Sequence, residues 1–185
     1  MSQITRSWLA FAAMGAGVIH LGVASGVAIP AAVVLGVLGF AEFAWGVGVL
    51  SRNRFLLPRT ALVGALSPTL AWVLVLLGAV MFEHPEWASS FPAFPMAAAT
   101  AFNLVLAASA GVTVRRAASV ESDDVPVRKT TADRQAPAFL YLVGLMVGAL
   151  AVSAVTTPAL AATSAGANNP HANHSELNLP DEHQH

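Results

Sequence analysis

The sequence predicts an all-α integral membrane bundle of five transmembrane helices, and three observations lead there. Hydrophobic residues make up 56% of the chain and charged residues only 10%, with a mean hydropathy of +0.65, a balance more apolar and less charged than that of soluble domains. Five separate stretches approach the ~20 apolar residues that a helix needs to cross a hydrocarbon core about 30 Å thick. All nine Lys and Arg residues fall on one side of a five-span arrangement, and four or six spans would break that segregation. By the positive-inside rule that side is cytoplasmic, which puts the N-terminus inside and the C-terminus outside.

The first span, about 7–26, follows a short segment bearing the single charge of Arg6. A positive start, an apolar run and the small residues Ala24, Ser25 and Gly26 also fit a cleaved signal peptide. The length of the run, and the second run directly behind it, favour an uncleaved helix. The second span, about 29–50, opens near Pro30, which suits a first helical position because its nitrogen has no hydrogen to leave unpaired. It stops before Ser51, Arg52, Asn53 and Arg54. The third, about 60–82, contains Pro68, which removes one helical hydrogen bond, frees the carbonyl of Gly64 and predicts a kink.

A polar and aromatic turn from Glu83 to Pro92 follows, with Trp87, Phe91 and Phe94 placed to anchor at headgroup depth. The fourth span, about 95–114, ends at Arg115 and Arg116. Residues 115–136 then read as a solvated cytoplasmic loop with both signs of charge, including Arg128, Lys129 and Arg134. The fifth span, about 137–157, is followed by Pro158. The chain thus divides into a bundle, residues 1–158, and a His-rich extracytoplasmic tail, residues 159–185, too small and polar to build a core and expected to be disordered. Thr157 to Ala162 also resembles a small-residue cleavage site.

Several function classes drop out. With no cysteine there are no disulfides, thiolate metal sites or cysteine nucleophiles. Scattered basic residues and a net charge of -1 give no nucleic-acid surface. No Gly-rich phosphate loop, Ser-His-Asp order or paired-carboxylate arrangement stands out, and the aqueous loops are too short for a soluble active site, so an enzyme is not expected.

Two features carry the functional expectations. The first is Glu42, the only acid in any of the long apolar runs. An ionisable group at helix centre costs about 2.5 to 3.5 kcal/mol on insertion scales, so it faces protein or a water-filled cavity. Its helix stripe is Ala32, Gly36, Gly39 and Gly46; that of His20 is Ala13, Ala16, Gly17 and Ala24. Such small-residue faces let another helix approach closely. At 1.5 Å per residue, however, His20 lies roughly 10 Å and Glu42 roughly 18 Å below the outer boundary. A tight turn between the first two spans would place His20 opposite Leu35. Direct contact is therefore not expected, although a water could bridge part of the gap. The depths instead predict two polar layers, Glu42 with Ser67, Thr69 and Tyr141, and His20 with Asn103 and Ser153. Glu42 reads either as a neutral acid gluing helices together or as part of a proton or cation relay. The pairs Gly22/Gly26 and Gly144/Gly148 point to tight internal packing and, more weakly, to a homo-oligomer.

The second feature is the set of outer histidines. His171, His174, His183 and His185 in the tail stand beside Glu176, Asp181 and Glu182, and Glu83, His84 and Glu86 cluster in the turn facing the same compartment. Imidazole is the commonest protein metal ligand, and a short His-rich tract is a compositional sign of metal capture, here of Cu or Zn. A solvated tail with no role beyond solubility is the competing reading.

The segment Gly15 to Leu21, the acid-bearing second span, and Thr157 to Thr163 followed by a His-rich end together resemble small uncharacterised multi-pass membrane proteins of actinobacteria. The resemblance implies a bacterial plasma-membrane location and a link to copper or other metal handling, and it lends no catalytic residue. The expectation is thus a multi-pass protein of the lipid bilayer that binds or senses a transition metal at its extracytoplasmic face, with a possible relay through His20, Asn103 and Glu42. The alternative is a structural or accessory subunit of a larger membrane complex.

Overall fold

A computed structural model describes residues 2–52, 56–122 and 138–167. Among these every regular element is a helix: α1 (Gln3–Ala24), α2 (Ile29–Arg52), α3 (Pro58–Met81), α4 (Pro85–Ser89), α5 (Ala93–Ser122), α6 (Ala138–Ala161) and α7 (Ser164–Ala167). Five of these, α1, α2, α3, the Ala93–Arg116 part of α5, and α6, are long and apolar enough to cross a membrane.

The bundle is built around α1. Over its most apolar window 61% of α1 is buried, against 6% for α6. Ser2 caps its first turn by accepting from the Thr5 amide at 3.1 Å, and the alanines and glycines that follow let three other spans lie close to it. Helix α2 returns antiparallel along one side, with the face of Gly39 against His20 and that of Gly46 against Ala10 and Met14. A methyl group at Gly17 would come within 2.5 Å of the Gly39 carbonyl oxygen, so the α1–α2 contact is backbone on backbone. Helix α5 packs on α1 and α3, and α6 runs parallel to α1, Gly144 against Ile4 and Gly148 against the Trp8 ring. The Gly144/Gly148 pair is thus an internal packing face. Trp8 Nε1 also donates to the Gly144 carbonyl at 2.8 Å.

Two apolar clusters fill the interior. One gathers Ile19, Val23, Leu35, Met96 and Ala99 with Ala159; the other gathers Leu9, Ala13, Ala65, Leu106 and Ala107. Because α1, α3 and α6 run one way and α2 and α5 the other, Arg6, Arg52, Arg59, Arg115 and Arg116 share one end of the bundle, and α4 with His84 and Glu86 lies at the opposite end.

Three boundaries differ from the sequence expectation. Helix α5 does not stop at Arg115 but continues to Ser122, 30 residues in all, or roughly 45 Å. Arg115 and Arg116 are therefore helical rather than the start of the loop. Helix α6 passes through Pro158 to Ala161. A proline inside a helix removes the hydrogen bond to residue i−4 and crowds that carbonyl, at a cost of about 3 kcal/mol, and here burial of Ala159 against Ile19 and Val23 holds the last turn in place. Thr163 then accepts from the Gly166 amide and caps α7, which packs on α1, so residues 159–167 belong to the bundle and not to a tail. The Glu83–Pro92 turn contains the short helix α4, entered through Glu83 at a φ of 58°.

Candidate functional site

About one turn from the C-terminal end of α1, and near the middle of α2 and of the apolar part of α5, three polar side chains from three helices meet. His20 Nδ1 lies 2.7 Å from Glu42 Oε2, and Asn103 Nδ2 donates to Glu42 Oε1 at 2.9 Å. Relative exposures of 1%, 7% and 1% for His20, Glu42 and Asn103 place the centre inside the protein rather than against lipid.

This overturns the expected separation of His20 from Glu42, and with it the two polar layers. The glycine faces set the register of α1 against α2. His20 stands opposite Gly39, about one helical turn along from the Leu35 that a tight turn would dictate. Side chains also lean toward the N-terminus of their own helix. In an antiparallel pair His20 leans away from the connecting turn and Glu42 toward it, so the two close the remaining distance.

The partners assigned to Glu42 from depth alone bond elsewhere. Ser67 Oγ donates to the Gly64 carbonyl at 3.2 Å, the carbonyl that Pro68 leaves free, and Thr69 Oγ1 donates to Ala65 at 3.4 Å. Tyr141 OH lies 3.4 Å from Ser7 Oγ, in a second α1–α6 contact that the sequence did not suggest. Ser153 lines a separate cavity beside Phe43 and Thr156.

The contact at 2.7 Å requires a proton between nitrogen and oxygen. Either Nδ1–H donates to a carboxylate, or a carboxylic acid O–H donates to a neutral imidazole. Asn103 supports both forms, since its amide hydrogen meets the other oxygen. Its own Oδ1 is buried and accepts nothing among the described residues. A cavity of about 170 Å³ reaches Glu42 from between α2 and α3, lined among others by Trp45, Leu57, Thr60, Ala61 and Gly64. Trp45 is fixed there by the bond from its Nε1 to the Leu56 carbonyl at 3.0 Å.

No group of three or more His, Cys, Asp or Glu side chains stands ready for a metal among the described residues. At the far end of the bundle His84 Nδ1 lies 2.6 Å from Glu86 Oε1, and the imidazole stacks on Trp87 at 5.1 Å between centroids. Glu83 is exposed beside them without joining the pair. His171, His174, His183 and His185 lie outside the described residues, so the expectation of Cu or Zn capture rests on the sequence pattern.

Comparison with protein-family models, curated proteins and solved structures gives no match for this chain. The fold and the site define its class directly: a bundle with five helices long and apolar enough to cross a membrane, and with an ionisable pair and an amide buried in its interior.

Proposed function

We propose that this chain is a multi-pass protein of a bacterial plasma membrane, N-terminus inside, whose His20–Glu42–Asn103 centre reversibly binds a proton as the relay of a small proton-coupled transporter. The contact of His20 with Glu42 at 2.7 Å, buried between apolar clusters, is the observation that carries this reading. Ionisable groups are costly in a bilayer and occur chiefly where ions or protons move. Amide or hydroxyl side chains would join the same helices at lower cost. A purely adhesive contact also needs no access, whereas Glu42 borders a cavity that runs along α2 and α3 toward the Arg52 and Arg59 end. The orientation rests on the Lys and Arg distribution.

Infrared difference titration of the full chain in lipid tests the proposal. A carboxylic acid C=O band or an imidazolium ring band that appears and disappears reversibly with pH in the wild type, and is missing from or displaced in Glu42→Gln, is the expected result. Identical difference spectra for the two proteins would make Glu42 a static contact and overturn the reading.

A further inference from the structure

Helices α2 and α3 follow one another in the chain, yet among the described residues they touch at most marginally. The space between them holds two cavities. The first, about 340 Å³, is lined among others by Val34, Leu35, Leu38, Pro68, Trp72 and Phe91. The second is the smaller one at Glu42. Leu38 borders both, and the lining residues advance from Pro30 to Trp45 on α2 while they retreat from Val75 to Leu57 on α3. The two are segments of one groove. Its walls are apolar, and the polar side chains along it are few. Thr60 already donates to the Leu57 carbonyl at 2.9 Å, the indole nitrogen of Trp45 is committed to Leu56, and that of Trp72 is a buried donor with no acceptor among the described residues. Among the described residues that line it, Glu42 is the one with an ionisable side chain.

We propose that this groove binds an amphiphilic organic cation, with its ammonium head at Glu42 beside the Trp45 ring and its apolar body along α2 and α3 toward Trp72 and Phe91. The inference rests on the proton-binding role of the centre and names what the proton is exchanged for. A lipid chain would suit the apolar part of the groove but leaves the acid without a partner, and lipid head groups sit at the interface rather than at the depth of Glu42. A cation satisfies both parts. The volume suits a small ligand, at the lower end of the 300–1,000 Å³ or so usual for binding pockets. An aromatic ring beside a carboxylate is a favourable place for an alkylammonium.

The exchange balances in charge. With one proton beyond the anionic form, imidazolium facing carboxylate or imidazole facing carboxylic acid, the centre is neutral and holds a cation poorly. Loss of that proton leaves carboxylate and neutral imidazole, with Nδ1–H still donating to Oε2. The net charge of −1 then matches the ammonium, so one cation binds for one proton released. Linkage makes the coupling reciprocal, and protonation expels the cation.

The test uses the full chain in phosphatidylcholine nanodiscs, with octyltrimethylammonium as probe and octyl sulfate as the opposite-charge control. Tryptophan emission reports occupancy, because Trp45 and Trp72 both line the groove. A saturable change with the cation alone is expected, its affinity weakening by about tenfold per pH unit on the acid side of the Glu42 infrared titration. Glu42→Gln should lose the response. Ala41→Phe and Ala71→Phe, at exposed positions on the two walls, should block binding and leave the infrared titration in place. An equal response to octyl sulfate, a pH-independent affinity, or wild-type binding by Glu42→Gln each overturns the proposal. A wild type whose infrared band titrates but which ignores the cation overturns this inference alone. A wild type with no titrating band overturns the proton-binding reading beneath it.

Discussion

Asn103 donates through Nδ2 to Oε1 of Glu42 at 2.9 Å, while its own Oδ1, in the same interior, accepts nothing among the described residues. One half of the amide is spent on the acid and the other half is left unpaid, so helix stability alone does not account for an asparagine here. Replacing Asn103 by Ala removes the orphaned oxygen but strands Glu42 Oε1. A net loss of about 0.6–3 kcal/mol is expected from an unpartnered buried acceptor. Membrane double-mutant averages near 0.6 kcal/mol set the lower edge. Denaturant unfolding in mixed micelles measures it, and wild-type stability in Asn103→Ala would mean that Asn103 does not support the acid.

Glu42→Gln and Glu42→Ala should separate sharply. Glutamine can keep both contacts, accepting from Asn103 and donating its amide hydrogen to His20 Nδ1, so its unfolding free energy should stay within about 1 kcal/mol of wild type. Alanine leaves His20 and Asn103 without a partner in the interior, where removing one member of a buried pair costs about 3–5 kcal/mol. Equal losses in the two variants would show that the hydrogen bonds contribute little.

Gly17 and Gly36 make a matched test of the α1–α2 register. A methyl group at Gly17 meets the Gly39 carbonyl at 2.5 Å and the Phe43 amide at 2.9 Å, both backbone atoms that cannot turn aside. At Gly36 it meets nothing within 4 Å, although Gly36 shares the stripe of Glu42. Gly17→Ala should therefore destabilise the bundle and push His20 away from Glu42. Gly36→Ala should stabilise α2 by up to about 1 kcal/mol through helix propensity. The same unfolding assay decides, and a neutral Gly17→Ala would contradict the close approach.

The proposed orientation predicts that a reporter fused after His185 reads as extracytoplasmic and one inserted between α5 and α6 as cytoplasmic. Compartment-specific reporters such as alkaline phosphatase and a fluorescent protein check it. Reversed signals would place the arginine-bearing end outside.

The number of spans and their approximate positions were legible in the sequence because apolar length is a local property. So were the two polar groups at risk, His20 and Glu42, and the close-packing positions Gly17, Gly39 and Gly46 of the small-residue faces that carry them, though Gly36 of the same stripe meets nothing within 4 Å. Their pairing was not legible. Depth counted from the ends of the spans assumes that the connecting turn fixes the register, whereas the close backbone approach of Gly17 to Gly39 fixes it here. The same local view stopped the fourth span at Arg115 and the fifth before Pro158. A charged residue can continue a helix beyond the bilayer, and a proline can be held inside one by packing. Trp8 and Trp45, which fasten α1 to α6 and α2 to the approach to α3, could have been suspected from their need for a hydrogen-bond acceptor.

The spacing of the centre along the chain bears on biogenesis. His20 and Glu42 are separated by 22 residues and sit on one hairpin, whereas Asn103 follows Glu42 by 61. The emerging hairpin can therefore enter the bilayer with its acid and base already joined, so that neither need be inserted as a lone charge. Asn103 closes the centre only when α5 arrives. Site-specific cross-linking of ribosome-bound chains arrested at successive lengths should find α1 beside α2 before α5 has left the ribosome, and proximity that appears only with α5 would rule out this order.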